Sequence, residues 1–295
     1  MLRLEQLAEL AERHRPALAA RVAAFEVGGR LFDGNTRPSL MGVVNLSPDS
    51  WYRESVTLTT DAAIRRGRVL AAQGADLIDL GAESSILEAE RVGADAQNHR
   101  LIPVIRALRA EGIPVSVETY APEVTRACLE AGANVLNLTG VDPGADMFRT
   151  AAEHDAAVIL CYVQGENVRE VGDFRLDTDP VATMYEFFAR QIERATAAGV
   201  GKVFVDPGLG FYYRNLRDSA VRVRHQMGVF LNAFRLRTLG WPVCNALPHA
   251  FEYFGEEVRC AEPFFSVLAA LGRTDLFRTH EVPRIRAVLD TLQRF

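Results

Sequence analysis

From residue 40 to the end, short apolar runs alternate eight times with amphipathic helical patterns. No other feature constrains the fold of this chain as tightly. The runs are LMGVVN (40–45), DLIDL (76–80), PVSVE (114–118), NVLNL (134–138), AVILC (157–161), KVFVD (202–206), PVCNA (242–246) and DLFRT (275–279). Near-continuous apolar character is what a parallel strand buried on both faces requires. Between the runs lie helical stretches such as DAAIRRGRVLAAQG, EVTRACLEAG and PVATMYEFFARQIERATAAG. Several stop at a glycine (Gly74, Gly132, Gly199), the residue that takes a left-handed helix end without strain. VPRIRAVLDTLQRF supplies the eighth helix. Eight strand–helix units in one chain predict an α/β fold, a closed (β/α)8 TIM barrel. An open doubly wound sheet is the alternative topology.

Ahead of the barrel, Leu4, Leu7, Leu10 and Ala11 form one stripe of an extra amphipathic N-terminal helix. The turn-rich GGRLFDGNTRPS that follows reads as a plug for the barrel bottom. The expected division is therefore residues 1–34 for helix and plug and 35–295 for the barrel. The formal net charge of −5 argues against broad nucleic-acid binding, which needs a basic surface. No apolar run reaches membrane-spanning length, and MLRLEQLAELAERHR lacks the apolar core of a signal peptide, so a cytoplasmic protein without membrane contact is expected. Cys128, Cys161, Cys244 and Cys260 show no paired spacing and read as core residues rather than metal ligands.

In barrels of this kind the chemistry sits at the C-terminal strand ends and the loops after them. The polar residues there are Asn45, Asp79, Glu118, Asn137, Asp206, Asn245 and the pair Arg278/His280, with Gln164 slightly beyond its strand. Any one of them could simply cap the next helix. Seven strands aiming hydrogen-bonding groups at one mouth is different, because buried polar groups cost free energy unless paired. The set offers carboxylates and amides, with a cation and an imidazole on the last strand. It suits a flat heterocycle with an amidine-like edge lying next to an anion; a pteridine fits, and so does a purine.

These residues sit in blocks that resemble a known family. MGVVNLSPDSW (41–51), DLIDLGAESS (76–85), VSVETY (115–120), NVLNLTG (134–140), CYVQG (161–165), VFVDPGLGF (203–211) and FRTHEV (277–282) are similar, in order, to the signatures of dihydropteroate synthases, members of the pterin-binding barrel superfamily. The resemblance implies a transferase that condenses dihydropterin pyrophosphate with 4-aminobenzoate and releases pyrophosphate. By the same resemblance Asn45 contacts a magnesium–pyrophosphate, so Asn45 is the implied metal contact and Mg2+ the implied cofactor. Asp206 pairs with the pterin amino edge, Asn137 serves the same pocket, and Arg278 with His280 binds the anion. A homodimer formed through late barrel helices is also implied, with a pterin and a second small substrate as partners.

The sequence departs from the family pattern at four places. The loop after the second strand reads Ser84-Ser85-Ile86-Leu87 and lacks its usual arginine. The loop after the seventh reads Leu247-Pro248-His249-Ala250 and lacks its usual lysine. Glu118 stands where an aspartate is usual, and its extra methylene carries the carboxylate about 1.5 Å further into the mouth. Tyr162 stands where a histidine is usual. Two lost cation–phosphate bonds at roughly 1.5–3 kcal/mol each would slow condensation about a hundred- to ten-thousandfold unless replaced. Ser85, Arg214, Arg217 and His249, all on mouth loops, are the candidate replacements. Two other functions fit the same residues: a one-carbon transferase using methyltetrahydrofolate, toward which Asn245 points, and a non-catalytic protein that binds a pterin or reduced folate. The loop 165–180 reads either as a lid or as a plain surface loop. Trp51 reads as packing rather than stacking on a ligand, with Tyr52 beside it.

Overall fold

The computed structural model describes residues 1–47, 56–57, 59–84, 89–211, 213, 215–216 and 218–294. The expectations placed on Trp51, Tyr52, Ser85, Arg214 and Arg217 fall outside these residues.

Each apolar run forms a strand: β1 (Ser39–Asn45), β2 (Leu77–Gly81), β3 (Val115–Thr119), β4 (Val135–Leu138), β5 (Ala157–Cys161), β6 (Val203–Asp206), β7 (Cys244–Ala246) and β8 (Leu276–Thr279). All seven ladders among them are parallel, in the spatial order β6-β5-β4-β3-β2-β1-β8-β7. A parallel bridge between Val205 and Val243 joins the two ends, with Val205 N donating to Pro242 O at 3.0 Å, so the sheet closes into a (β/α)8 barrel. The barrel helices are α1 (Thr60–Ala72), α2 (Ala94–Ala110), α3 (Pro122–Glu130), α4 (Asp146–Glu153), α5 (Pro180–Ala197), α6 (Ser219–Asn232), α7 (Ala261–Leu271) and α8 (Val282–Leu292). Sequence-local signals start several of them. Thr59 accepts from Ala62 N ahead of α1, and Asp179 accepts from Ala182 N ahead of α5, whose first residue is Pro180.

Side chains alternate across every strand, and the inward set changes character with height. Met41, Leu77, Val135, Ala157, Ile159, Phe204, Cys244 and Leu276 form one buried cluster inside the lower barrel. A hairpin of Phe25–Val27 and Arg30–Phe32 closes that end. Its Phe25 and Phe32 rings meet Phe204 edge-on at centroid distances of 5.1 and 5.9 Å. The N-terminal helix Leu4–Arg13 lies outside the barrel, with Leu7 and Leu10 packed against the outer core. A buried ion pair, Arg237 to Asp275, braces the bottom, and Asp275 Oδ2 also accepts from Val243 N at 2.8 Å. With the bottom filled and plugged, the upper inward positions are left to hold polar chemistry at the other end.

Candidate active site

Further along the same strands, most inward positions turn polar. Asn45 (β1), Glu118 (β3), Asn137 (β4), Asp206 (β6) and Arg278 (β8), together with His280 just past β8, line one cavity that opens at the barrel mouth. Ser47, Glu83, Ser84, Thr139, Gly208 and His249 complete its polar wall. Asp79 (β2) lies fully buried directly beneath.

Arg278 is the hub. Its Nε donates to Asp79 Oδ2 at 2.8 Å and its NH2 donates to Glu118 Oε2. Asn137 Nδ2 donates to the same Asp79 oxygen at 3.2 Å, while Asp79 Oδ1 has no partner among the described residues. Burial alone would lower the Arg278 pKa, but the charges of Glu118 and Asp79 outweigh it and hold the guanidinium above its usual range. Glu118 is pushed up, first by burial and then by Asp79 and Asp206, against the pull of Arg278. Asp206 accepts from Gly208 N at 2.8 Å, yet burial pushes its carboxyl up to about 6. Gly208 is fixed in this role: its φ is +74°, and a Cβ there would sit 2.5 Å from the Tyr162 carbonyl oxygen. Three carboxylates thus face one guanidinium, and the mouth carries an excess of acid.

The rim beside Arg278 holds a group that strand-end reasoning misses. Glu262, in the first turn of α7, is fully buried. Its Oε1 lies 2.7 Å from His280 Nδ1 and 3.2 Å from His249 Nε2. Its Oε2 accepts from Thr279 Oγ1, from His280 N at 3.0 Å and from Glu281 N at 3.3 Å. Burial would raise the Glu262 pKa, but the adjacent imidazoles of His249 and His280 reverse that and hold it well below the carboxylate range. His280 is lowered by burial despite Glu262. The signal in the sequence was a lone acid in the apolar window AEPFFSVLAAL.

Besides Asp79, which supports the cavity from beneath, two predicted site residues do not line it. Asn245 has the opposite parity to Cys244 and Ala246, which face the barrel interior and the mouth cavity, and it points into the helix layer. There its Nδ2 donates to Thr274 Oγ1 at 2.7 Å. Gln164 is half-buried on the rim outside the cavity, where it exchanges two bonds with the backbone of Arg175 (2.7 and 3.0 Å) and donates to Tyr162 OH at 3.2 Å. Tyr162 itself packs edge-on against Phe187 and Phe188 of α5, outside the barrel. The loop 165–180 is firmly tied down. Phe174 stacks on Tyr213 at 4.4 Å and exchanges two bonds with Asn215, and the buried Arg169 donates to the carbonyls of Ser84 and Ala89.

A plugged (β/α)8 barrel whose mouth combines buried carboxylates and amides with an arginine–histidine rim belongs to a defined class. The chain is a member of the pterin-binding enzyme family, whose sequence pattern matches residues 41–245. Its relatives are transferases. The dihydropteroate synthase of Synechocystis is 29% identical over 311 residues, covering 99% of this chain and all of that protein. The dihydropteroate synthase of Xanthomonas albilineans, solved with 4-aminobenzoic acid, superposes with a TM-score of 0.77 at 31% identity, over 92% of this chain and 97% of the other. The Thermus thermophilus enzyme in complex with 6HMPPP superposes with a TM-score of 0.73 at 28% identity, over 92% of this chain and 100% of the other.

Proposed function

We propose that this protein condenses a dihydropterin pyrophosphate with an arylamine of the 4-aminobenzoate type. The observation that carries the reading is one cavity in which Asp206 and Asn137 stand beside an Arg278/His280/Asn45 rim, all in the order of the family signatures. In the reaction the arylamine nitrogen bonds to the pterin methylene carbon, the carbon–oxygen bond to pyrophosphate breaks, and the amine loses a proton. Asp206, ionised above pH of about 6, accepts from the amino and ring N–H groups of the pterin, and Asn137 holds the adjoining edge. The partial positive charge that develops at the methylene is favoured by the surrounding carboxylates. The departing pyrophosphate is received by His280 and by the Arg278 N–H groups not committed to Asp79 and Glu118. No protein nucleophile is required, because the rate comes from orientation and electrostatics.

The acid excess at the mouth repels a bare pyrophosphate, so the anion needs to enter with a cation. Magnesium fits: it takes oxygen ligands and keeps few protein contacts, and the Asn45 amide oxygen at the inward end of β1 would supply one. When bound it neutralises the pyrophosphate. A cytoplasmic homodimer completes the reading, assembled through α7 and α8, where Phe264, Leu271 and Leu292 are exposed. The residues divide at about 34/35 into plug and barrel. The one-carbon alternative loses support because Asn245 faces the helices.

A thermal-shift series tests the reading. Dihydropterin pyrophosphate with Mg2+ is expected to raise the melting temperature far more than free pterin or methyltetrahydrofolate. Equal stabilisation by methyltetrahydrofolate, with no gain from pyrophosphate, contradicts it.

A further inference from the structure

Beside the pterin pocket, two imidazoles converge on one oxygen of a buried carboxylate. His249 comes from the loop after β7, His280 from the end of β8 and Glu262 from α7, so three separate elements supply the group. Their ligand-type atoms, one from each residue, all lie within 4.8 Å of one another. The ring centroids of the two histidines are 5.0 Å apart.

We propose that His249, His280 and Glu262 form a binding site for a divalent transition metal of the zinc class. Three arguments carry it. First, the carboxylate is held in place from behind. Oε2 accepts from Thr279 Oγ1 and two backbone N–H groups, an outer shell that fixes the side chain, while Oε1, which also accepts from His280 N at 3.2 Å, faces both imidazoles. Second, the spacing is close to what a metal needs. Bonds of about 2.0–2.2 Å in tetrahedral geometry hold ligand atoms roughly 3.3–3.5 Å apart. The observed 2.7 and 3.2 Å from Oε1 to the two imidazoles require shifts well under an ångström, and the three ligand atoms already lie within 4.8 Å of one another. Third, the group is preformed: Glu262 and His249 are buried and His280 nearly so, each held by a different element of the barrel.

Two histidines and one glutamate match the ligand set of catalytic zinc sites, which keep a fourth position open. His249 and His280 both border the mouth cavity, so that position is reached from the substrate side. An oxygen of a phosphate-type anion suits it. This last point rests on the proposed reaction, whereas the metal site does not. A metal held here would supply positive charge beside the loop that lacks the family's lysine.

Chelator-treated protein titrated with Co2+ and followed by visible absorption is the test. The expected result is one equivalent bound with the intense d–d bands of a four-coordinate site, displaced by one equivalent of Zn2+. His249→Ala and His249→Phe should weaken binding by about a hundredfold or more while the circular dichroism stays unchanged; the phenylalanine keeps the stack on Phe251. Weak, unsaturable uptake overturns the site, as does equal affinity in both variants. Inorganic pyrophosphate should shift the bands. Unshifted bands remove the anion from the fourth position and leave the metal in place. Since no pterin is present, failure of the metal site and failure of the condensation are read separately.

Discussion

Asp206 is held at an energetic disadvantage in the empty site, and replacing it with asparagine measures that cost. Lifting its pKa from 3.8 to about 6, at about 1.4 kcal/mol per pH unit, amounts to about 3 kcal/mol against the ionised form. The cause is burial without enough compensation, since Gly208 N, Arg278 and the Cys244 thiol offset only part of it. A carboxyl whose folded pKa lies above its unfolded value favours folding at low pH, and that contribution is lost as pH rises from 3.8 towards about 6. The amide in the Asp206→Asn variant does not titrate, and its oxygen still accepts from Gly208 N. This variant should therefore match the wild type near the acid end. It should become more stable by up to about 3 kcal/mol above neutrality, or roughly 5–8 °C in melting temperature. Pterin affinity should fall at the same time. Urea unfolding of both proteins from pH of about 4 to about 8 reads the gap directly. A variant that is less stable than the wild type at the alkaline end, or a gap that does not grow with pH, refutes the reasoning.

Other consequences follow from the same geometry. Arg278→Met removes the only cation bonded to Asp79 and Glu118 among the described residues, and should cost about 3–5 kcal/mol in chemical denaturation; a loss below about 1 kcal/mol contradicts the buried triad. Gly208→Ala forces an unfavourable φ and a clash with the Tyr162 carbonyl, so crystallography of the variant should show a displaced 207–209 turn, and titration should show weakened pterin binding. Asn245→Ala leaves Thr274 Oγ1 without this donor and should lower stability by about 1–2 kcal/mol, yet change pterin affinity less than about twofold. A large affinity loss there would return Asn245 to the mouth.

Much of this architecture was legible because parallel strands and their helices leave strong local signals. All eight apolar runs became strands, and the glycines at 74, 132 and 199 adopt positive φ after their helices. The convergence of Asn45, Glu118, Asn137, Asp206, Arg278 and His280 was legible for the same reason, since a barrel brings strand ends together. Facing was harder. In strands apolar on both sides nothing marks the inward parity, and Asn245 sits one residue out of phase. Gln164 lies past its strand, where local loop bonding decides the outcome. Glu262 escaped because it reaches the mouth from a helix. The charge balance around Arg278 is likewise a matter of distance, as sequence order does not reveal that the expected anion receptor already holds two carboxylates.

The central claim is that this mouth joins a pterin to an arylamine despite the absent lysine and arginine. The direct measurement is product formation by mass spectrometry after mixing the protein with dihydropterin pyrophosphate, 4-aminobenzoate and Mg2+. The account predicts dihydropteroate and one equivalent of pyrophosphate per turnover, with product abolished by Arg278→Met and strongly reduced by Asp206→Asn. If both substrates bind and no product forms with Mg2+ or with added Zn2+, the claim of condensation is contradicted.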